Sequence, residues 1–178
     1  MERRLATPNI ETRGTAGERR KTRNPEAEPQ RGPQHDQLSA FAGSWQAEGS
    51  AFQDDAEARM LSDETWEWLP GGFFLTCRFD SRVGDTEHRG FGFLAYDADR
   101  GTHTCRMIDN LGYDRLYDLS VNGQVWTFRG SRERATYTFS QDGRAVEIRW
   151  EQSANGVDFK PLCELKATRT AGLGPTQH

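Results

Sequence analysis

The residues able to do chemistry lie between positions 64 and 117, and they recur at two-residue intervals. Glu64 is followed by Trp66 and Trp68; His103 by Cys105, Met107 and Asp109; Arg115 stands between Tyr113 and Tyr117. In a β-strand a spacing of two places side chains on one face, so each ionisable group shares its face with aromatic or sulfur-bearing neighbours. A buried, unpaired charge costs several kcal/mol and must be paired, hydrated or matched to a ligand. Two arrangements satisfy that condition. One is an internal ion pair of Arg115 with Asp109 or Glu64, plugging a filled interior. The other is an apolar cavity with a few convergent polar contacts, the usual make-up of a small-molecule site. In the second, the planar fork of Arg115 suits an acidic or carbonyl oxygen of the ligand, and Trp126, Tyr137 and Trp150 complete the wall.

Catalysis is the alternative use of the same groups. His103 and Asp109 are an acid–base pair in type, as an isomerase, cyclase or hydratase would need, but six strand residues separate them by about 20 Å. A working pair would have to cross strands, joining either residue to Arg115, Tyr117 or Glu64. His103 and Cys105 also have the composition of a thiol–base dyad. Against that, the three cysteines, Cys77, Cys105 and Cys163, fit no metal spacing and read as reduced, buried apolar residues. Asp109 has a local explanation too, because Asp109-Asn110-Leu111-Gly112 has the make-up of a turn. The segment Tyr96-Asp97-Ala98-Asp99-Arg100-Gly101 lacks the full calcium-loop pattern, so no metal is expected. Gly71-Gly72 and Gly90-Phe91-Gly92 open no helix and read as turns or strand kinks rather than a phosphate cradle.

The elements that position these groups are strands. Apolar and polar residues alternate over approximately 44–53, 59–69, 72–83, 86–97, 102–110, 113–121, 124–131, 133–140, 145–153 and 157–169. Val146, Ile148 and Trp150 oppose Glu147, Arg149 and Glu151; Ala135, Tyr137 and Phe139 oppose Thr136 and Thr138; Trp126 and Phe128 oppose Thr127 and Arg129. Asn122-Gly123, Asp142-Gly143 and Asn155-Gly156 mark hairpins, with type I′ turns as the favoured geometry. Ten strands with one dry face each and no long helix to cover them predict an all-β fold. Closure into an antiparallel up-and-down barrel removes both the apolar face and the edges. Leu38 to Gly43 reads as a short helical turn closing one end.

All 19 aromatic residues lie between Phe41 and Phe159. Residues 1–34 carry 8 basic and 5 acidic groups, the rest of the chain 15 and 22. The expected organisation is a disordered tail over 1–34, one domain over 35–170 and a C-terminal tail over 171–178. The N-terminal stretch has no apolar run resembling a secretory signal or membrane span, giving a cytoplasmic expectation. Its mixed charges argue against nucleic acid. The expected partner is a small hydrophobic molecule, and the residues do not specify an oligomeric state.

Gly43-x-Trp45, with Arg169 at the end of the last strand, resembles the structural pairing of calycins, the lipocalin-like superfamily of antiparallel barrels. There the indole closes the barrel floor, and a stacked Arg adds a cation–π contact of roughly 1 kcal/mol. A longer series resembles a widespread bacterial family of uncharacterised calycin-like proteins, distantly similar to the haem-binding nitrobindins. It comprises Leu38-x-x-Phe41-x-Gly43-x-Trp45, Glu48-Gly49, Gly71-Gly72-Phe73-Phe74, Gly90-x-Gly92, Tyr96-Asp97, Asp109-x-x-Gly112, Gly130 and Trp150-Glu151-x-Ser153. The resemblance implies the fold and brings no activity with it. Nitrobindins hold haem through a histidine in the C-terminal part of the barrel, and no histidine occurs here between His103 and His178. Haem in that manner is disfavoured, leaving His88 or His103 as the iron ligands of any other geometry, and no cofactor is expected. Three functions stand at this point: ligand binding in the barrel, an enzyme acting on such a ligand, and an interaction scaffold with a filled lumen.

Overall fold

The computed structural model describes residues 28–53 and 56–170. A five-residue helix α1 (Pro33–Gln37) and a 3-10 turn (Leu38–Ala40) lead into ten strands. These are β1 (Gly43–Gln53), β2 (Ala56–Trp68), β3 (Phe74–Val83), β4 (Thr86–Asp97), β5 (Thr102–Asp109), β6 (Asp114–Asn122), β7 (Val125–Arg129), β8 (Glu133–Phe139), β9 (Ala145–Gln152) and β10 (Lys160–Arg169). Every strand pairs antiparallel with its sequence neighbour, and β1 pairs with β10, so the sheet is a closed up-and-down barrel. Closure leaves no strand edge unpaired.

The dry faces are those that alternation assigns. Trp126, Phe128, Ala135, Tyr137, Phe139, Val146 and Ile148 are buried inside, and the intervening Thr and charged residues point outward. The helical segment begins before the turn expected at Leu38. Arg31, within the stretch expected to be tail, donates from Nε to the Gly72 carbonyl (3.0 Å), pairs with Asp36 (2.6 Å) and lies over the Trp68 ring. Residues 1–27 and 171–178 of the expected tails lie outside the described residues.

The three Asx-Gly dipeptides do sit in hairpin connections, but none is the centre of a type I′ turn as expected. Asn122 pairs with Val125, so Gly123 (φ 58°) and Gln124 form the two-residue loop, one position later than Asn-Gly would place it. Gly143 (φ 66°) follows a turn in which its own N–H bonds to the Ser140 carbonyl, while Asp142 Oδ1 accepts from the Ser140 hydroxyl and Arg144 N–H. Asn155-Gly156 lies in the longer β9–β10 loop, where Asn155 Oδ1 accepts from Ser153 Oγ, Val157 N–H and Asp158 N–H. In the last two loops the Asx side chain acts as acceptor for the loop itself, and that outcompetes the mirror-image turn.

One end of the barrel is solid. Phe41, just after the 3-10 turn, enters between the strands and contacts Trp66, Trp126, Phe128, Tyr137 and Phe139 at ring separations of 5.1–6.0 Å. Trp45 Nε1–H donates to the Phe41 carbonyl (2.7 Å), and the Arg169 guanidinium lies 4.3 Å over the Trp45 ring. Arg169 further donates to the carbonyls of Ala40, Ala42 and Gly143. One side chain therefore ties the helical plug, the β8–β9 turn and the β1–β10 seam together. A Cβ on Gly43 would stand 2.7 Å from Arg169 Nη1, and its φ of 115° is one that side chains rarely adopt.

Candidate functional site

The barrel interior is not filled to the other end. Beyond the aromatic plug lies a cavity of about 260 Å³. Its wall is mostly apolar, built from Trp66, Phe79, Tyr117, Phe128, Tyr137 and Trp150 with Met60, Met107, Cys105, Cys163 and aliphatic residues. On β4, Gly90 and Gly92 share the inward parity of His88, which lines it. A Cβ on Gly90 would come within 2.3 Å of both the Ile108 carbonyl and the Phe79 ring, and one on Gly92 within 2.1 Å of Met107 Sδ. The glycines thus let β5 approach β4 and leave room for Phe79 and Met107. They are strand residues that permit close backbone approach, whereas Gly71 and Gly72 belong to the β2–β3 turn.

A polar network spans β4, β5, β6 and β8 at the mouth. Asp109 Oδ1 accepts from the backbone N–H of Leu111 (2.9 Å) and Tyr113 (3.1 Å). Its Oδ2 accepts from His88 Nε2–H (3.0 Å) and Arg115 Nη1–H (2.6 Å). One carboxylate oxygen closes the turn and the other enters the cluster, so the local and the long-range explanations of Asp109 hold together. Burial pushes this carboxyl up, but the hydrogen bonds from His88, Tyr113, Arg115 and Leu111 outweigh it and hold it below its ordinary value. Arg115 Nε–H donates to Glu133 Oε1 (3.0 Å), and Tyr117 Oη–H donates to Glu133 Oε2 (2.5 Å). Burial and the bond to Glu133 drive the Tyr117 phenol far above its ordinary range, so it stays a donor.

Glu64 lies deeper. Its Oε2 accepts from Trp66 Nε1–H (3.0 Å), and burial raises its pKa against that bond. The residue retains accessible surface although it is far from bulk water, because that surface faces the cavity.

Of the residues the sequence nominates, Glu64, Trp66, Met107, Asp109, Arg115, Tyr117, Tyr137 and Trp150 come together around the cavity. Trp68, His103, Tyr113 and Trp126 do not. His103 shares its strand face with Met107 and Asp109 but lies at the plugged end, where Nε2–H donates to the Gln34 carbonyl (2.8 Å) and the ring packs on Trp126 and Tyr96. Trp126 belongs to the plug, and Trp68 lies under Arg31. Tyr113 precedes β6, is 53% exposed and covers the Arg115 guanidinium at 3.9 Å from the outside. The expected Arg115–Asp109 pair forms and the Arg115–Glu64 pair does not. His103 and Asp109 are at opposite ends, so the imidazole that meets Asp109 is His88.

In the mouth network, His88 and Glu133 are the members that sequence reasoning did not nominate as ligand-binding residues, and Met60, Phe79 and Phe128 of the wall were not nominated either. A signal for the first two was present, since His88 has the parity of Gly90 and Gly92, and Glu133 that of Ala135 and Tyr137. Cys77, Cys105 and Cys163 are free and buried, as expected; burial raises all three thiols, Cys163 to about 12. The thiol–base dyad is not formed, because His103 is committed to Gln34. Among the described residues no group of His, Cys, Asp and Glu is placed to hold a metal ion, and no helix is long and apolar enough to cross a membrane. A depression of about 680 Å³ on the outer face of β10, β1 and β2 is ringed by Gln46, Glu48, Asp63 and Lys166, all exposed to bulk water, and the one buried polar side chain in its lining, Ser62, is already bonded to Ser81 (2.7 Å).

Comparison with solved structures finds the same fold in the crystal structure of Rv2717c from M. tuberculosis. It is 17% identical, with a TM-score of 0.60 over 78% of this chain and 98% of that one. The S-type phycobiliprotein lyase CPES from Guillardia theta is more distant, 10% identical with a TM-score of 0.49 over 80% of this chain and 95% of that one. No curated protein matches the sequence. The resemblance read from the Gly43-x-Trp45 series therefore has its counterpart in the fold and in the sequence: residues 30–164 match the family described as "Protein of unknown function (DUF1579)", and the chain belongs to it.

Proposed function

We propose that this barrel binds a small, largely apolar or aromatic molecule in its interior. The observation that supports the reading is the 260 Å³ cavity, in which aromatic rings converge while the opposite end is packed solid. An apolar cavity of about 150 Å³ holds benzene, so this volume suits a single ring with a short substituent. The scaffold reading requires a lumen filled throughout, and the cavity weighs against it. Arg115, expected as the polar anchor for an acidic or carbonyl oxygen of the ligand, has two of its nitrogens held by Asp109 and Glu133 at the entrance, which leaves less of its fork for a ligand. The reading invokes no cofactor, nucleic acid or membrane. Three buried, unpaired cysteines suit a reducing compartment such as the cytoplasm.

Titration with toluene, phenol and indole, followed by tryptophan fluorescence and thermal shift, tests the proposal. Saturable binding to the wild-type protein, weakened in Ala51→Leu where the larger side chain takes up part of the cavity, is the expected result. Absence of saturable binding for the whole panel would remove the reading.

A further inference from the structure

The charge balance of the cavity narrows the class of ligand. Glu64 is the deepest ionisable group of the wall that carries a carboxyl, and only one of its oxygens is engaged, by Trp66 Nε1–H. Among the described residues Oε1 has no partner, and it keeps accessible surface on the side of the cavity. Among the described residues no Lys, Arg or His bonds to this carboxyl. The titratable groups that feel its charge from the surrounding strands are Cys77 on β3, Cys105 on β5, Tyr137 on β8 and Cys163 on β10, all neutral at physiological pH. The basic groups lining the cavity, His88 and Arg115, belong to the mouth network and bond to Asp109 and Glu133. There, two carboxylates face a single guanidinium.

The cavity thus has a carboxyl without a cation at its base and an excess of carboxylate over guanidinium at its mouth. Its wall is rich in aromatic rings, whose faces carry negative electrostatic potential. Aromatic faces beside a carboxylate are the surroundings that stabilise an ammonium ion. An acidic ligand would find Arg115 already engaged at Nε and Nη1 and would meet three carboxyl groups. Resting on the cavity-binding reading, we infer that the ligand is a small aryl- or alkylamine bound as its cation, with its ammonium donating to the free oxygen of Glu64 and its apolar body lying among Trp66, Tyr117, Tyr137 and Trp150.

In the ligand-free barrel burial holds the Glu64 carboxyl above its ordinary pKa. An ammonium beside it stabilises the carboxylate, so whatever proton the carboxyl still carries passes to solvent as the ion pair forms. No other bond is made or broken.

Calorimetric titration of the full chain between pH 5 and 8 with phenethylamine, 2-phenylethanol and phenylacetate separates the possibilities, because the three differ mainly in the charge of one terminal group. The amine should bind about tenfold or more tightly than the alcohol, with phenylacetate weakest. Its heat should depend on buffer ionisation enthalpy in the sense of proton release toward the acidic end of the range. Glu64→Gln, which keeps an acceptor for Trp66, should lose about tenfold in amine affinity and narrow the gap between the amine and the alcohol by that factor. If the alcohol or phenylacetate equals the amine in wild type, the cation assignment falls while cavity binding stands. If none of the three binds, both fall. The wild-type comparison decides the matter even if the variant fails to fold.

Discussion

At the scale of single residues two of the three carboxyls around the cavity are tuned in opposite directions, and each leaves a signature in pH. Asp109 titrates below its ordinary value of 3.8 in the folded protein, because four hydrogen bonds favour its charge against burial. The unfolded chain therefore takes up the proton first as pH falls. The stability Asp109 contributes is complete above about pH 4 and is lost as pH drops through the folded value. Asp109→Asn should cost about 3 kcal/mol near pH 7, the scale of breaking a buried ion pair, and should flatten the acid limb; urea midpoints measured from pH 3 to 7 will show both. Glu64 has the reverse sign. Its folded value lies above the ordinary 4.5, so the unfolded chain releases the proton first and stability falls as pH rises from about 4.5 through the folded value. Glu64→Gln should accordingly melt higher than wild type at pH 8 and show no advantage at pH 4. Equal melting temperatures at pH 8 would mean that the carboxyl is compensated by something other than a proton.

At the scale of elements, the plug and the seam carry the barrel. Phe41 is 2% exposed at the centre of five aromatic contacts, so Phe41→Ala leaves a void among rings that cannot collapse onto it, and about 3–5 kcal/mol should be lost. Arg169→Ala removes a cation–π contact and donors to three carbonyls, and about 2–3 kcal/mol is expected. In β4, Gly92→Ala drives a methyl group onto Met107 Sδ and the Arg106 carbonyl. It should destabilise by about 1–3 kcal/mol and reduce probe binding as Met107 is pushed into the cavity. The strands themselves were legible from alternation, and their bounds differ from expectation by a few residues at the ends. The hairpin turns were legible in place but not in type, since Asp142 and Asn155 each bond to their own loop instead of entering a mirror-image turn. The helix α1 carried no apolar period long enough to be read.

At the scale of the whole molecule, ten strands in one ring make each hairpin depend on the closure between β1 and β10. Unfolding should be a single cooperative event, with tryptophan fluorescence and far-ultraviolet circular dichroism tracing coincident urea transitions; two separated transitions would show that the plugged and open ends come apart independently. Closure also explains which parts of the site could be anticipated. Because successive Cβ atoms alternate across a strand, the inward set containing Glu64, His103, Met107, Asp109 and Arg115 follows from local order alone, as do the dry faces around Trp126, Tyr137 and Trp150. The Trp45–Arg169 pairing does not follow from local order; the family resemblance implies it. Alternation says nothing about depth, and depth separates His103 at the plug from Asp109 at the mouth on one and the same strand face. Nor does it say which strands stand opposite each other across the lumen. That Arg115 meets Glu133 and not Glu64, that His88 reaches Asp109, and that Glu64 is left facing open space are consequences of register and closure, which bring together residues far apart in sequence through hydrogen bonds that no local pattern encodes.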